Sequence, residues 1–321
     1  MKCSNCGKEI ANDSHFCEFC GTRLELKPNK GTFRKRKFLW ILLVAIICVF
    51  VFGWPLYSKY GLSTANIECV DSEATEHIDS YIETAFDLNM TMIWVEGGEF
   101  LMGCTSEQGN CDSDEQNVRR VTVDGFYIGM LEVTQSQWEK VMGTSIYQQK
   151  SKTVYDKTYG VGPDYPMYYV SWDEATEFCR LLSNKTGRTY TLPTEAQWEY
   201  AARGGKKAEG TKYAGSNVVD AVAWYTDNSG STTHVCGSKR ANALGIYDMS
   251  GNVWEWCKDW YASSYVSYDT NNPTGPSSGS HRVNRGGSWY NYASYCRVAS
   301  RSFYAPSYCD SNLGFRVVCI P

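Results

Sequence analysis

The sequence contains little histidine and carries little net charge, and both shortages exclude kinds of site. Four histidines occur in 321 residues, and the three beyond residue 37, His77, His234 and His281, show no paired spacing. A histidine-rich iron centre of the facial-triad type is therefore disfavoured. The formal net charge of −4 gives no case for nucleic-acid binding. Charged residues at 21% against apolar residues at 43% also exclude a wholly disordered chain.

The low net charge hides an uneven distribution around one apolar run. Residues 1–37 contain nine Lys and Arg against four Asp and Glu, a net of +5 that leaves −9 for the rest of the chain. The 21 residues of 38–58 contain no charge and match the length of a membrane-spanning helix. Trp40, Trp54 and Tyr57 suit its two membrane interfaces.

The basic linker at 27–37 predicts the orientation of this helix. It ends in Arg34–Lys37 directly before the apolar run, so the positive-inside rule places the N-terminus in the cytoplasm and the C-terminal part outside. A cleaved signal peptide is less favoured, because 37 residues precede the run. A buried core helix is also less favoured, because the run lacks polar alternation.

The N-terminal residues 1–26 read as a zinc site. Cys3, Cys6, Cys17 and Cys20 form two C-x-x-C pairs separated by ten residues, which suits tetrahedral zinc. Two disulfides are the alternative, and a reducing cytoplasm disfavours them. The pattern resembles the small zinc ribbons at the N-termini of bacterial membrane proteins. That resemblance implies a bacterial cytoplasmic membrane as the location and a cytoplasmic protein as the partner of the ribbon.

The outer part begins with a polar, acidic stretch at 59–89, which we interpret as a stalk, and continues as a folded domain over 90–321. Three capping boxes predict helices in this domain. They pair Thr134 with Gln137, Ser171 with Glu174, and Thr194 with Gln197, and the helices end near Gly143, Asn184 and Gly204. Residues 263–280 are predicted to form a low-complexity surface loop.

Four ordered motifs carry a family resemblance: LPTEAQWEYAARGG from Leu192, NALGIYDMSGNVWEW from Asn242, RGGSW from Arg285 and NLGFR from Asn312. Together they resemble the formylglycine-generating enzyme (sulfatase-modifying factor) superfamily over residues 90–321. The resemblance implies an α+β, C-type-lectin-like fold with little regular secondary structure. It leaves the activity open, because the superfamily contains copper oxidases, iron-dependent sulfoxide synthases and non-catalytic binding proteins.

The family oxidases bind copper through two cysteines, three and eight residues after the serine of the GGS motif. Counted from Ser288, these positions hold Asn291 and Cys296. One thiolate and one amide make a poor Cu(I) site, so Cys296 is a catalytic candidate only if the chain is an oxidase. A disulfide between Cys296 and Cys257 is a competing interpretation.

The family also implies a calcium site in the NALGIYDMSGNVWEW motif. Carried over by position, its ligands are Asp248, Gly251, Val253 and Glu255. Two carboxylates and two carbonyl oxygens suit Ca²⁺. The alternative is that Asp248 caps a turn and Glu255 pairs with an arginine.

Residues 288–312 are rich in tyrosine and serine, with five and six of 25 residues. This composition is typical of antibody-like paratopes, where Tyr supplies contact area and Ser supplies adaptable hydrogen bonds. It also resembles the variable segments of proteins diversified by retroelements that edit adenines. The predicted ligand-binding residues are Tyr290, Asn291, Tyr292, Ser294, Tyr295, Phe303, Tyr304 and Tyr308. An ordinary polar loop is the alternative.

Nine cysteines follow the apolar run, so at least one per chain lacks an intrachain disulfide partner. Cys104 and Cys111 flank a short glycine-containing loop and are predicted to bridge it. The family resemblance further implies a bridge from Cys179 towards the last strand, where Cys319 lies two residues past the matching position.

The favoured function is non-catalytic binding of an external protein or glycan by a single-pass membrane protein. The first rival is a copper-dependent oxidase that acts on cysteines of exported sulfatases. The second is a sensor that couples outer binding to the zinc ribbon.

The zinc site is directly testable. A peptide of residues 1–30 should bind one zinc through its four cysteines and unfold when a chelator is added, because so short a chain cannot build a core without metal. Circular dichroism with and without zinc measures this. Persistent structure in the reduced, metal-free peptide would contradict the prediction.

Overall fold

The computed structural model describes residues 78–154, 157–265 and 269–321. The predicted zinc ribbon (1–26), the linker, the apolar run at 38–58 and the first part of the stalk lie outside these residues. Within the described ranges, no helix is long and apolar enough to cross a membrane.

Short elements joined by long loops make up the described residues. The strands are β1 Ser80–Glu83, β2 Met90–Val95, β3 Gly98–Met102, β4 Arg119–Val123, β5 Phe126–Gly129, β6 Thr189–Thr191, β7 Trp254–Trp260, β8 Arg282–Arg285, β9 Arg301–Tyr304, β10 Leu313–Gly314 and β11 Val318–Ile320. The α-helices are α1 Gln135–Met142, α2 Ile146–Lys150, α3 Trp172–Thr186, α4 Glu195–Arg203 and α5 Val219–Val222. The mixed α+β composition predicted from the sequence is confirmed.

Three sheets organise the strands. The largest has the order β1-β2-β5-β11-β6 with antiparallel pairs, so the last strand of the chain lies inside it. A four-stranded sheet has the order β10-β7-β8-β9, and β3 pairs with β4 in a hairpin. The four-stranded sheet positions the Tyr/Ser-rich segment, because β8 leads into that segment and β9 belongs to it.

The three predicted capping boxes are present. Thr134, Ser171 and Thr194 each accept a hydrogen bond from the backbone N–H three residues on, and each helix ends at a glycine with positive φ. Helix α3 extends to Thr186, two residues beyond the predicted end. A fourth box at Ser145 opens the short, unpredicted helix α2.

The folded domain begins earlier than the predicted boundary at residue 90. Strand β1 pairs with β2 from Ser80 to Glu83, and Leu88 is buried in the same apolar core as Trp138 and Phe178. The acidic composition of the stretch concealed this strand, because Glu83 is buried and accepts hydrogen bonds from Tyr190 and Arg188. The stalk interpretation therefore fails for residues 80–88.

Two apolar cores fill the space between helices and sheets. In the first, the Trp138 ring stacks on Phe178 with centroids 6.0 Å apart, and Phe178 meets Phe315 edge-on at 5.3 Å. In the second, α4 contributes the fully buried Trp198 and packs against β3, β4, β7 and β8. Aromatic pairs of this kind add to the burial energy of their rings.

Asp259, near the end of β7, caps α4 from a distance. Its Oδ2 accepts a hydrogen bond from the backbone N–H of Glu195 at 2.9 Å, and the residue is 4% exposed. Burial, reinforced by the nearby Glu195 carboxylate, raises the pKa of Asp259 from 3.8 to about 7. The folded state therefore retains a proton on Asp259 between about pH 4 and 7 that the unfolded state has lost.

Asp259 should lower the free energy of unfolding as pH rises through this window, since the folded state binds more protons than the unfolded state. Asp259→Asn keeps an acceptor oxygen and removes the charge. We expect the variant to match the wild type near pH 4 and to exceed its unfolding free energy by up to about 4 kcal/mol at pH 8. Urea unfolding at both pH values measures this. A stability difference that does not change with pH would contradict the assignment.

Candidate functional site

Residues 288–312 alternate between exposed and buried positions. Tyr290 and Tyr292 are each 69% exposed, Tyr295 40% and Phe303 41%, and Ser294 is also exposed. By contrast, Cys296 to Arg301 form a continuous buried stretch. The segment therefore presents aromatic side chains to solvent on both sides of a buried anchor.

Two arginine–glutamate pairs hold this anchor. Arg297, 3% exposed, donates to both carboxylate oxygens of Glu115 at 2.6 and 2.9 Å. Arg301, 7% exposed, donates to both oxygens of Glu195 at 2.6 and 2.9 Å. Burial works to raise the pKa of Glu195, but the guanidinium groups of Arg301 and Arg285 outweigh it and hold that pKa below its usual value. Paired guanidinium–carboxylate bonds of this geometry fix orientation as well as position.

A third arginine ties the backbone of the anchor to the second core. Arg285 is fully buried and donates to the carbonyl oxygens of Ala299, Ser300 and Val298 at 2.8, 2.9 and 3.1 Å. It also forms an ion pair with Glu199 on α4, and its Nη1 atom lies 3.6 Å from Glu195 Oε1 on the same helix. Arg285 thus satisfies three carbonyls that no strand pairing serves, and it places the segment against the four-stranded sheet.

The first half of the segment contains four exposed residues close together in sequence. We call these residues, Tyr290, Tyr292, Ser294 and Tyr295, the tyrosine patch. Tyr290 meets the buried Trp289 edge-on, with centroids 5.4 Å apart. Tyr295 meets the buried Trp254 edge-on at 6.4 Å. Buried tryptophans therefore support two of the three tyrosines of the patch.

The second half of the predicted ligand face divides between two sides of β9. Phe303 stacks on Tyr261 at 4.0 Å, whereas Tyr304 stacks on Tyr308 at 4.4 Å and meets Trp256 edge-on. Successive residues of a strand point to opposite faces, so Phe303 and Tyr304 cannot share one binding surface. Tyr304 and Tyr308 are also half-buried. They fit a supporting role better than the predicted contact role.

Asn291 belongs to the scaffold. Its Oδ1 accepts a hydrogen bond from the indole N–H of Trp254 at 2.9 Å and another from the Ser288 hydroxyl. Its backbone oxygen accepts from the N–H of Thr226 at 3.0 Å. These bonds use the Oδ1 and the backbone oxygen of Asn291, and its contact with a ligand stays a prediction.

Cys296 does not fit a copper site. It is fully buried among Tyr213, Val222, Ala223 and Tyr225, and burial raises the pKa of its thiol to about 12. Copper(I) binds thiolate, and the paired position, Asn291, supplies no sulfur. No oxidation step can be derived from these two residues.

The predicted Cys104–Cys111 disulfide is confirmed. The two other pairings considered from the sequence are absent. Cys257 and Cys296 are both free and lie in different apolar clusters. Cys179 and Cys319 are also free; Cys319 is the middle residue of β11, where its thiol hydrogen-bonds with Tyr81.

Both carboxylates of the predicted calcium ligand set already have other partners. Glu255 is fully buried and both its oxygens are occupied: Arg316 donates to each at 2.6 Å, and the Trp198 indole donates at 2.7 Å. Asp248 accepts from the Gly237 N–H at 2.6 Å, as a turn cap does. This matches the alternative interpretation, so the four-ligand set does not fit in this arrangement. Gly251 and Val253 offer only carbonyl oxygens, which hold no ion by themselves.

Asp248 instead lies with Glu132 and Cys236. Their ligand-type atoms are within 4.8 Å of one another, and all three residues are buried. Burial raises the pKa of Asp248 to about 6, and it raises the pKa of Glu132 with help from the Asp248 charge. Sequence reasoning missed Glu132, which lies 116 residues before Asp248 and outside the four motifs. The Glu132 carboxylate accepts a hydrogen bond from the backbone N–H of Val253 at 3.1 Å.

A substitution at Glu255 tests whether this residue is a calcium ligand or the partner of Arg316 in a buried ion pair. Glu255→Gln leaves the Arg316 charge buried without a counter-charge, which typically costs about 3–5 kcal/mol. We expect the variant to melt at a lower temperature by the same amount in calcium and in chelator. Glu177→Gln, which removes an exposed pair with Arg180, is the control and should not change the melting temperature. A calcium-dependent melting temperature that only Glu255→Gln abolishes would restore the calcium site.

The predicted zinc ligands Cys3, Cys6, Cys17 and Cys20 lie outside the described residues. Comparison with known proteins covers them: residues 2–24 match the zinc-ribbon domain family. Residues 81–320 match the sulfatase-modifying factor enzyme 1-like domain family.

Individual relatives agree with this match. The chain is 31% identical to the chaperone protein LppX of Paenibacillus barcinonensis over 71% of this chain and 88% of that protein. It is 32% identical to the formylglycine-generating enzyme of Mus musculus over 70% of this chain and 74% of that enzyme. The solved structure of Treponema denticola variable protein 1 superposes with a TM-score of 0.66 at 31% identity, covering 76% of this chain and all of that one.

Proposed function

We propose that this protein, which belongs to the sulfatase-modifying factor enzyme 1-like family, is a non-catalytic binding protein whose tyrosine patch contacts an external protein or glycan. The observation that carries the proposal is the alternation along 288–312. Exposed Tyr290, Tyr292 and Tyr295 are spaced around scaffold residues that are buried and paired. A surface built in this way can change its exposed residues without disturbing the fold.

The chemistry of the patch favours recognition by shape and hydrogen bonding. Between residues 288 and 308 the charged residues are Arg297 and Arg301, and both are buried in ion pairs. Tyrosine supplies contact area with two side-chain torsions, so ordering it on binding costs little entropy. Binding should therefore depend weakly on salt.

The likeness to Treponema denticola variable protein 1 supports a variable-type role. The Tyr, Ser, Asp, Phe and Cys residues at 290–312 are those that adenine editing of asparagine codons produces. We therefore infer diversification by a retroelement of that kind.

Residues outside the described ranges complete the proposal. The apolar run at 38–58 would anchor the protein in a bacterial cytoplasmic membrane, with the binding domain outside. The ribbon would hold zinc through its four cysteines and face a cytoplasmic protein. The same arrangement also serves a sensor, in which ligand binding outside is transmitted to the ribbon.

A copper-dependent oxidase is the rival, and the 32% identity to the mouse formylglycine-generating enzyme is what favours it. Against it stand the missing second thiol at Asn291 and the buried thiol of Cys296. The full-length protein supplied with Cu(I), O₂ and a cysteine-containing sulfatase peptide should form no formylglycine. Turnover that Cys296→Ser abolishes would establish the oxidase and overturn the proposal.

Binding is tested by comparing variants on glycan and protein arrays. Exposed aromatic anchors typically contribute about 1–4 kcal/mol each to binding, whereas exposed positions change folding by less than about 0.5 kcal/mol. Tyr290→Ala, Tyr292→Ala and Tyr295→Ala should each lose array signals that the wild type gives, at an unchanged melting temperature. Tyr147→Ala, a 58% exposed tyrosine outside the segment, is the matched control and should retain them. Unfolding of all three patch variants would identify the patch as core and contradict the proposal.

A further inference from the structure

A short disulfide-closed loop packs against the buried anchor of the binding segment. Cys104 and Cys111 are bridged, with Cα atoms 6.1 Å apart, and we call residues 104–115 the clasp loop. Both cysteines are half-buried, and Ser106, Gly109 and Asn110 between them are exposed. The bridge is therefore open to reagents in solution, unlike the free cysteines of the two large cores.

The clasp loop supplies several polar contacts to the anchor. Gln108 is fully buried within the bridged ring, and its Oε1 accepts a hydrogen bond from the backbone N–H of Ala299 at 3.2 Å. Glu115 forms the two-bond pair with Arg297. The carbonyl oxygen of Asp114 accepts from Arg301 at 3.1 Å. Gln108 lies inside the bridged ring and Asp114 and Glu115 follow it directly, so most of the polar support of the anchor from this side comes from the clasp loop.

We propose that the Cys104–Cys111 disulfide is a redox-sensitive clasp that keeps the tyrosine patch in its binding conformation and releases it when an external dithiol reduces it. The inference rests on the proposed binding function for its biological meaning. The physical claim, that reduction loosens residues 296–301, stands on the contacts alone.

The surroundings of the bridge favour one direction of reduction. The Nη1 atom of Arg297 lies 3.4 Å from the Sγ of Cys111, so the guanidinium group can stabilise a thiolate at Cys111. A stable thiolate is the better leaving group in thiol–disulfide exchange. The incoming thiolate therefore attacks Cys104, forms a mixed disulfide with it, and expels Cys111 as the thiolate.

The second step completes the reduction. The second thiol of the external dithiol, as its thiolate, attacks the reagent sulfur that is bonded to Cys104. The reagent leaves as a cyclic disulfide, and Cys104 leaves as a thiolate that takes up a proton. Two electrons pass from the dithiol to the bridge. Arg297 is then shared between Glu115 and the Cys111 thiolate, and the opened ring gains conformational freedom that weakens the Gln108 contact.

Hydrogen exchange on the full-length protein tests the clasp without any ligand. After reduction by dithiothreitol, amides of residues 296–301 should exchange at least about tenfold faster, because their local opening becomes easier. Amides of α3 should be unchanged, and mass after alkylation should show two additional accessible thiols. With glutathione, the mixed disulfide should form mainly on Cys104.

Two variants serve as controls. Cys104→Ser combined with Cys111→Ser should show the fast exchange at 296–301 with and without reductant, and Gln108→Ala should show it while the bridge is intact. Unchanged exchange at 296–301 after complete reduction would overturn the clasp, and so would a rise of equal size in α3, which would make the bridge a general staple. Either result leaves the array test of the proposed function untouched, and failure of that test leaves this measurement valid.

Discussion

The pairing of buried arginines with buried glutamates is the constraint on which the rest of the domain depends. Arg301 with Glu195, Arg297 with Glu115 and Arg285 with Glu199 join the Tyr/Ser-rich segment to α4 and to the clasp loop. Each charge has left water, so its partner must be present in the correct place, and loss of one partner leaves an isolated charge in the core. These pairs explain how a segment with little regular secondary structure keeps a fixed course.

That fixed course allows one segment to act as both core and surface. The arginines and Ala299 face inward, while Tyr290, Tyr292 and Tyr295 face solvent, with Tyr290 and Tyr295 against buried tryptophans. The position that supplies a copper thiolate in the family oxidases holds Asn291, which is bonded to Trp254. Scaffold hydrogen bonds therefore occupy the Oδ1 atom of Asn291, while the neighbouring tyrosines face solvent.

Local sequence patterns predicted local structure well. Capping boxes predicted the three main helices because each box depends on residues three apart, and the bridge between Cys104 and Cys111 closes a ring of short separation.

Contacts between residues far apart in sequence were not predicted. The pair of Glu255 with Arg316 spans 61 residues, and the partners of the Tyr/Ser-rich segment, Glu115 and Glu195, lie 182 and 106 residues before their arginines. No single-sequence pattern encodes such distances. The alternation of tyrosine and scaffold residues was visible in the sequence, whereas the partial burial of Asn291, Tyr304 and Tyr308 was not.

Saturation mutagenesis of residues 288–312, scored by the yield of folded protein, tests the central claim most directly. We expect positions 290, 292, 294 and 295 to accept nearly every substitution, including charged ones, since these side chains are exposed. Positions 297 and 301 should accept almost none, because each substitution strands a buried carboxylate. Equal intolerance at the tyrosine patch and at the two arginines would contradict the account, since it would make the patch part of the core.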